Sequence, residues 1–405
     1  MTMNDIQDGK KFLGYEDKLA IVVVGYNRID AITRLLNSLN AAEYPVSNIP
    51  LVISLDYGGG EKIRDEVLNY EWKHGPKFCI FHEKNLKLRK HIFSCLSLSE
   101  YFKGVIVLED DLYVSPYFYY YALKSLDFYG NDNNVAAISL YSTRTNFFTS
   151  LPINLMRGES DVYAAQVVET WGECVNYRMW SDFKKWMDKN SDINWSEIDM
   201  YERISNWKNA WSKYFFAYII TCNKFYVYPY SSLTTCFADE GVHNSGVSKI
   251  SYSSQAVLQS RKLNYTFLGF EELYKYDVYY NPVGLWDELG VPKNELVIDL
   301  YNNRKYKSKR YLLTTKKLSF KIEKSFALRL KPMEANIYCN LYGEGLYLYD
   351  TNKKVSKCES TYPQISIYDY SFDSYFSHKY FISMFKAAIT FYKKVFLLRL
   401  KRLSK

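Results

Sequence analysis

Three carboxylates stand together directly after an apolar run in the first third of the chain. Residues 105–108 are valine, isoleucine or leucine, the pattern of a strand buried on both faces, and Glu109, Asp110 and Asp111 follow it. Adjacent carboxylates raise each other's pKa unless a cation lies beside them. Because oxygen ligands suit a hard divalent ion, the pattern indicates a metal site beside a phosphate. The alternative is a solvated acidic turn after a strand.

Further polar residues follow two other predicted strands. Strand patterns at 19–24 and 50–55 are followed by Asn27 with Arg28 and by Asp56. Strand and helix patterns alternate through this part of the chain, which predicts a mainly parallel sheet flanked by helices. Since ligands bind beyond the carboxyl ends of parallel strands, we expect these residues and the acid triplet to share one edge.

The composition is that of a folded protein with a basic tail. Of 405 residues, 48% are hydrophobic and 24% are charged, which argues against wholesale disorder, and the length favours more than one unit. The formal net charge is +8, and no Asp or Glu follows Asp373. Seven scattered cysteines without a C-x-x-C pair argue against a zinc site or disulfide framework and favour a reducing compartment. We see neither a secretory signal nor an apolar run of the ~20 residues that span a bilayer.

The sequence predicts three parts. Residues 1–265 hold the alternating patterns, and residues 266–375 form a small mixed appendage for which acceptor binding and dimerisation both remain open. Residues 376–405 form a basic amphipathic helix, with an apolar side flanked by lysine and arginine. Such a helix suits an anionic membrane surface, and the alternative is docking on the protein. The first interpretation predicts a cytoplasmic protein, peripheral at the inner membrane face.

Three motifs, in order along the chain, resemble those of GT-A glycosyltransferases. They are IVVVGYNR at 21–28, SLDYGG at 54–59 and VLEDDL at 107–112. The sequence most resembles the N-acetylglucosaminyltransferase I type and bacterial, family 2-like enzymes of polysaccharide synthesis, in which an acid triplet is the form of the Asp-x-Asp motif. The resemblance covers residues 18–250 and implies a GT-A, Rossmann-like fold that transfers sugar from a nucleotide-sugar, usually a UDP-sugar.

The resemblance implies a role for each motif residue. Asp111 would be the direct ligand of Mn²⁺ or Mg²⁺, and the two acids before it would face the ribose and uracil of the donor. Asp56 would accept a hydrogen bond from the base, and Asn27 with Arg28 would lie at the diphosphate. A divalent ion and a guanidinium both neutralise the charge on a departing diphosphate. The alternatives are a local pairing of Arg28 with Asp30 and a turn role for Asp56.

The sequence leaves the catalytic base open. An inverting transferase needs a carboxylate that takes the proton of the acceptor hydroxyl. The resembling family places an Asp in a Trp-rich segment, whereas residues 206–211 here contain no acid. The candidates are Glu173, expected at a helix start, Glu169 before it, and Asp239 and Glu240 in a polar loop. A first-turn role for Glu173 and solvent-facing positions for the loop acids are the alternatives.

The same loop contains His243, which would touch a phosphate or complete the metal shell, or be a satisfied loop histidine. We therefore expect a metal-dependent, inverting glycosyltransferase acting on a glycan or lipid-linked acceptor in bacterial capsule or lipopolysaccharide synthesis. A sugar-phosphate nucleotidyltransferase is one alternative, although the first strand is followed by a single Gly and Arg. A non-catalytic carbohydrate-binding protein of the same fold is another. Basic residues confined to the tail argue against nucleic-acid binding.

Overall fold

The protein combines a large sheet flanked by helices with a second, smaller sheet. The computed structural model describes residues 10–146, 148–208, 210–237, 239, 261–262, 264–304, 309–361, 363–364, 367–371 and 378–403. Within these residues the large sheet has nine strands, the smaller one has four, and a separate ribbon has two. The fold is therefore of the α/β class, with the small mixed appendage that the sequence predicts.

The strands of the large sheet are short and mostly apolar, as strands buried on both faces must be. The strands of the described residues are β1 (Leu19–Gly25), β2 (Leu51–Leu55), β3 (Lys77–Phe81), β4 (Gly104–Glu109), β5 (Leu112–Val114), β6 (Val135–Ser139), β7 (Val162–Ala165), β8 (Glu173–Val175), β9 (Phe225–Pro229), β10 (Thr234–Cys236), β11 (Lys275–Tyr276), β12 (Leu296–Asp299), β13 (Tyr311–Thr314), β14 (Phe320–Ala327) and β15 (Gly345–Lys354). The large sheet has the order β11-β7-β9-β6-β8-β4-β1-β2-β3, and the small one β12-β13-β15-β14.

The four strands at one end of the large sheet are parallel. Strand β1 pairs in parallel with β2 and with β4, and β2 pairs in parallel with β3. Strand β8 lies antiparallel between β4 and β6, and β7 runs antiparallel to β9. The expected mainly parallel sheet is confirmed. Because β1, β2 and β4 point the same way, their carboxyl ends meet at one edge of the sheet, which we call the acid edge.

Helices alternate with strands in the first half and become shorter later. They are α1 (Ile29–Asn40), α2 (Glu61–Asn69), α3 (Lys87–Ser97), α4 (Phe118–Tyr129), α5 (Tyr177–Lys189), α6 (Glu202–Ser205), α7 (Ser212–Thr221), α8 (Trp286–Leu289), α9 (Ala335–Tyr338), α10 (Ile367–Ser371) and α11 (His378–Leu403). The periodicity of residues 204–222 predicts one helix, but the structure has α6 and α7 with a break between them. The break begins at Asn206, a residue of low helix propensity.

Two hydrophobic cores correspond to the two sheets. The larger core includes the predicted apolar side of α1, where Ile32, Leu35, Leu36 and Leu39 are buried against the sheet. The smaller core lies under β12 to β15 and consists mainly of leucine and isoleucine. Strand β11, near residue 275, still belongs to the large sheet. Apart from Leu151, the second core is built from residues that follow this strand.

Polar side chains join the small sheet to the large one. Arg304, after β12, contacts Asp277 through Nη1 at 2.9 Å and Asp199 through Nη2 at 2.5 Å. The Tyr276 hydroxyl, on β11, donates to Glu334 Oε1 at 2.9 Å. The Arg304–Asp277 contact is partly buried and the Tyr276–Glu334 contact is buried, whereas the Asp199 contact is exposed; together they link the small sheet to the large one.

The C-terminal helix α11 presents apolar side chains to solvent. Its 26 residues span about 39 Å at ~1.5 Å per residue. Phe385, Tyr392 and Phe396 are more than half exposed, and most described side chains from residue 382 to 400 are exposed. Docking of this helix on the described part of the protein, the alternative raised by the sequence, is therefore not seen. None of the described helices combines the length and apolar character that a bilayer span requires.

Candidate functional site

The acid edge brings Arg28 together with two of the predicted acids. Strand β4 ends at Glu109, and the following Asp110 is only 3% exposed. Arg28 follows β1 and forms ion pairs through Nη2 with Asp110 and through Nη1 with Asp111, the latter at 3.0 Å. The local pairing of Arg28 with Asp30 is not formed. A single guanidinium thus supplies positive charge to carboxylates that are more than 80 residues away in sequence.

The charge of this cluster is only partly neutralised. Burial, with the charges of Asp111 and Asp110, raises the pKa of Glu109 to about 8. Burial also raises the pKa of Asp110 to about 6, although Arg28 opposes the increase. Burial by itself would lower the pKa of Arg28, but the charges of Asp110 and Asp111 raise it above its usual value. The single guanidinium of Arg28 does not balance the negative charge of these carboxylates. A further cation bound at this edge would therefore be stabilised by them.

The acid edge fits a divalent ion that a substrate phosphate helps to hold. Among the described residues, no group of three or more His, Cys, Asp or Glu side chains is arranged to hold an ion alone. Mg²⁺-like ions do not require such a group, because one or two carboxylates and substrate phosphates often suffice. The side chain of Asp111 is 14% exposed and that of Asp110 is 4% exposed, so Asp111 is the more accessible ligand.

Asp56 lies at the same edge and organises the backbone around it. Its Oδ1 accepts the N–H groups of Tyr57 at 2.9 Å and Leu86 at 2.8 Å, and its Oδ2 accepts that of Lys87 at 3.0 Å. Its own N–H donates to Gly25 O at 3.1 Å, which ties the ends of β1 and β2 together. Asp56 therefore fixes the start of α3, a role that its position in the sequence does not reveal.

Two described residues that follow β10, Phe237 and Asp239, contact the acid edge. The Phe237 N–H donates to Asp111 O at 2.9 Å, and Asp239 O accepts from Arg28 Nη1 at 3.2 Å. The carboxylate of Asp239 is ion-paired with Arg34 of α1, and the Phe237 ring lies 4.0 Å from the Arg34 guanidinium. Asp239, a candidate base, is thus next to the acid edge but already has a cationic partner.

Asn27, Glu240 and His243 were also predicted to lie at this site. Asn27 is exposed beside Arg28 at the acid edge. Glu240 and His243 lie outside the described residues, so their predicted roles stay predictions.

Glu173 lies within the sheet and not at a helix start. It opens β8, opposite Val107 of β4 and Ser139 of β6, and is 2% exposed. Its Oε2 accepts a hydrogen bond from the Tyr226 hydroxyl at 3.1 Å. Burial raises the pKa of Glu173 to about 8, with Tyr226 opposing the increase. At this pKa the neutral form of the carboxyl predominates at neutral pH.

Glu169 lies in the segment between β7 and β8, next to aromatic side chains. It is half-buried, and its Oε1 accepts the Thr170 N–H at 3.1 Å. Burial raises its pKa to about 7. Trp171 packs edge-on against Tyr141 with ring centroids 4.6 Å apart. This segment therefore combines a titratable carboxyl with an aromatic surface.

Sequence reasoning missed Arg34 and Phe237. Arg34 lies on α1, and its carboxylate partner, Asp239, comes from a loop 205 residues later in the chain. No local spacing or periodicity signals such a pairing, because it depends on how the ribbon of β5 and β10 places that loop. The three motifs at the strand ends were the part of the site that local pattern could reveal.

Comparisons with known proteins give similarity at the level of the fold. No family model and no curated protein matches the chain. Among solved structures, Staphylococcus aureus TarS 1-349 is 14% identical, with 57% of this chain and 61% of that chain covered and a TM-score of 0.36. The same TarS fragment in complex with UDP-GlcNAc is 15% identical, with coverage of 56% and 60% and a TM-score of 0.38.

A second solved protein is similar over a shorter region. Mannosyltransferase PcManGT from Pyrobaculum calidifontis, in complex with GDP-Man and Mn²⁺, is 13% identical, with coverage of 45% of this chain and 53% of that chain and a TM-score of 0.31. This chain thus covers less than two thirds of each of these structures. At these identities and TM-scores, the similarity does not assign an activity to the chain.

Proposed function

We propose that this chain is a metal-dependent glycosyltransferase that moves a sugar from a nucleotide-sugar, with UDP as the expected carrier, to a glycan or lipid-linked acceptor. The observation that carries the proposal is the meeting of Arg28, Asp110 and Asp111 at the carboxyl ends of β1 and β4. Ligands of open α/β sheets bind at this kind of edge. The order and spacing of the three motifs add the resemblance to GT-A enzymes.

In this proposal the donor is held by residues of the acid edge. Asp111 would hold Mn²⁺ or Mg²⁺ together with the donor diphosphate, and such an ion neutralises charge on the leaving group. Arg28 would turn from the aspartates to the diphosphate, to which a guanidinium can donate two parallel hydrogen bonds. Glu109 and Asp110 would then face the ribose and base.

The base of the nucleotide has a proposed partner in Asp56. An ionised carboxylate has about four acceptor sites, and Asp56 uses three of them for backbone N–H groups. The remaining site can accept a hydrogen bond from the base without any loss of the contacts that fix α3. This would combine an architectural and a recognition role in one side chain.

We propose an inverting reaction, with Glu173, Asp239 and Glu240 as candidates for the catalytic base. A general base acts best when its pKa is close to the working pH, and the pKa of Glu173 is raised to about 8. Burial also favours the protonated form of Glu173 at neutral pH, so a substrate-dependent opening has to precede both its deprotonation and its contact with an acceptor. Asp239 would need to leave Arg34, with which it is paired.

Asp111 provides the direct test of the proposal. UDP-sugars tested in thermal unfolding with and without Mn²⁺ should stabilise the wild type only when nucleotide and metal are both present. At a ligand concentration of ~100 Kd the stabilisation is about 2.7 kcal/mol. Asp111→Asn should abolish it, and Asp188→Asn, which changes an exposed acid on α5, should not. Equal stabilisation of wild type and Asp111→Asn would contradict the proposal.

Product analysis separates this function from its alternatives. With Mn²⁺ and no acceptor, a glycosyltransferase should slowly release free nucleoside diphosphate as water replaces the acceptor. A sugar-phosphate nucleotidyltransferase supplied with pyrophosphate would instead cleave the nucleotide-sugar to a nucleoside triphosphate and a sugar 1-phosphate, and a carbohydrate-binding protein would catalyse neither reaction.

We propose that helix α11 keeps the enzyme at an anionic membrane surface, the inner face of the bacterial membrane. There the enzyme would reach the lipid-linked acceptors of capsule or lipopolysaccharide synthesis. The support is the exposure of Phe385 and Phe396 beside Lys386, Lys393 and Lys394. Apolar side chains enter the headgroup region, while each Lys near the surface contributes ~1 kcal/mol of attraction.

Deletion of residues 376–405 should release the protein from phosphatidylglycerol vesicles in a sedimentation assay. Replacement of Lys386, Lys393 and Lys394 by Gln should weaken binding roughly 100-fold, since ~3 kcal/mol of attraction is removed. Phosphatidylcholine vesicles serve as the uncharged control. Unchanged partitioning of the truncated protein would show that α11 is not the membrane-binding element.

A further inference from the structure

Lys213 is a buried cation without a carboxylate partner. It is 8% exposed and lies in the first turn of α7. Its Nζ lies 3.8 Å from the centroid of the Trp195 ring. In the part of the chain that the structure describes, no carboxylate lies within ion-pair distance of this ammonium group. Burying an unpaired charge is costly, and a cation–π contact offsets only part of that cost.

The position of Lys213 on its helix adds to the cost. Helix α7 has ten residues, and Trp211 at its N-cap makes no side-chain capping bond. The N-terminus of a helix has a partial positive charge and free N–H groups, so a cation there is unfavourable. Helical side chains lean toward the N-terminus, which directs the Lys213 side chain to that end. An anion at the start of α7 would neutralise both the Lys213 ammonium group and the partial positive charge of the helix N-terminus.

A second cation lies next to this helix end. Arg89 of α3 donates through Nη1 to the Tyr214 hydroxyl at 2.8 Å, and its guanidinium lies 5.1 Å from the Tyr214 ring centroid. Tyr214 packs edge-on against Trp195 at 5.4 Å. Among the described residues, Arg89 also has no carboxylate partner. We call Arg89, Trp195, Lys213 and Tyr214 the Lys213 cluster.

The topology places the Lys213 cluster on the same side of the sheet as the acid edge. Strand β9 is parallel to β6, and both β6 and β4 are antiparallel to β8, so β9 runs in the direction of β4. Helix α7 leads into β9 and therefore begins at the carboxyl-end side of the sheet. Helix α3, which follows β3, begins on that side for the same reason.

We propose that the Lys213 cluster is a binding site for a phosphate group of a substrate, formed by residues other than those of the acid edge. A phosphate at this point would accept hydrogen bonds from the N–H groups of Ser212 and Lys213, since that of Tyr214 already donates to Trp211 O at 3.2 Å. It would also pair with Lys213 and Arg89. Trp195 and Tyr214 would give an aromatic wall to the adjoining part of the ligand. The phosphate belongs either to the donor diphosphate or to an anionic acceptor. That the ligand is a substrate rests on the proposed function, whereas the binding of a phosphate does not.

Inorganic phosphate is the first probe. Thermal unfolding in sodium phosphate, compared with sodium chloride at equal ionic strength, should show phosphate stabilising the wild type and Lys185→Met, which removes an exposed lysine of α5. Lys213→Met should weaken phosphate binding at least tenfold without lowering the melting temperature in chloride, because an unpaired charge is replaced by an apolar chain. Arg89→Gln should weaken it as well. Equal phosphate stabilisation of wild type and Lys213→Met, or none in the wild type, would overturn the site.

UDP with Mn²⁺ identifies the source of the phosphate. If Lys213→Met weakens UDP binding as much as phosphate binding, the site takes the donor diphosphate. If it weakens only phosphate binding, the site takes an anionic acceptor. A wild type that binds phosphate through Lys213 but shows no metal-dependent binding of UDP or UDP-sugars would overturn the proposed function and leave the anion site standing.

Discussion

Arg28→Gln is expected to lower the free energy of unfolding of the metal-free protein by about 3–5 kcal/mol, the range found when one partner of a buried ion pair is removed. The reason is that Asp110 is almost fully buried and Arg28 is its ion-pair partner. Without the guanidinium, Asp110 must either stay charged in a poorly solvated position or take up a proton. Urea unfolding of both proteins at neutral pH measures the loss.

The loss should depend on pH in a defined direction. Burial raises the pKa of Asp110 to about 6 even with Arg28 present. Removing the cation raises that pKa further, so the variant's Asp110 is protonated over a wider range. Protonation removes the uncompensated charge of Asp110. The difference in the free energy of unfolding between wild type and Arg28→Gln should therefore be smaller at pH 5 than at pH 8.

Mn²⁺ connects this prediction to the proposed metal site. In Arg28→Gln the carboxylates of Asp110 and Asp111 are free of their guanidinium, so Mn²⁺ should restore more stability to the variant than it adds to the wild type. Arg34→Gln is the matched control, because Arg34 is on the adjacent helix and its pair with Asp239 is more exposed. Arg34→Gln should lower the free energy of unfolding by about 1 kcal/mol or less. Equal losses for the two variants, or identical responses to Mn²⁺, would contradict the assignment.

The acid edge was predictable because each of its parts has a local signal. Apolar runs identified β1, β2 and β4, and the alternation with helices fixed their parallel direction. Asp56 and the acid triplet could then be placed at one edge. The sequence could not show that Arg28 binds Asp110 and Asp111 when no ligand is present, since that depends on charges left uncompensated in the assembled sheet.

Other parts of the fold had no local signal. Strand β8 has three residues, and its place between β4 and β6 is set by pairing with both neighbours. The same pattern, Trp171 and Gly172 followed by Glu173, fits a helix start equally well. The periodicity of residues 204–222 places Lys213 in the interior of one long helix. The break that makes it a first-turn residue is decided by tertiary packing.

Glu173→Gln is expected to remove a pH dependence of stability from the protein. The pKa of Glu173 is about 8 in the folded chain and near 4.5 in the unfolded chain. Between these pH values the folded state holds a proton that the unfolded state has lost, so stability falls as pH rises, by up to about 1.4 kcal/mol per pH unit. Gln cannot ionise, yet its amide oxygen can still accept the Tyr226 hydroxyl.

The substitution should therefore be nearly neutral at pH 5 and stabilising by a few kcal/mol at pH 8.5. Urea unfolding at pH 5, 7 and 8.5 measures this, with Glu159→Gln, which changes an exposed acid, as the control. Parallel pH profiles for wild type and Glu173→Gln would show that the carboxyl is not held protonated by burial.

The same variant tests whether the buried carboxyl is used in the reaction. If Glu173 is the catalytic base, Glu173→Gln should lower kcat by roughly 10²–10⁴-fold and leave the affinity for UDP and Mn²⁺ unchanged. Stabilisation together with that loss would indicate a carboxyl kept in an unfavourable position for function. Stabilisation with full activity would assign Glu173 to the sheet alone. The proton would then be taken by another acid, and Asp239, beside Arg28 and Arg34, is the candidate that the acid edge already holds in place.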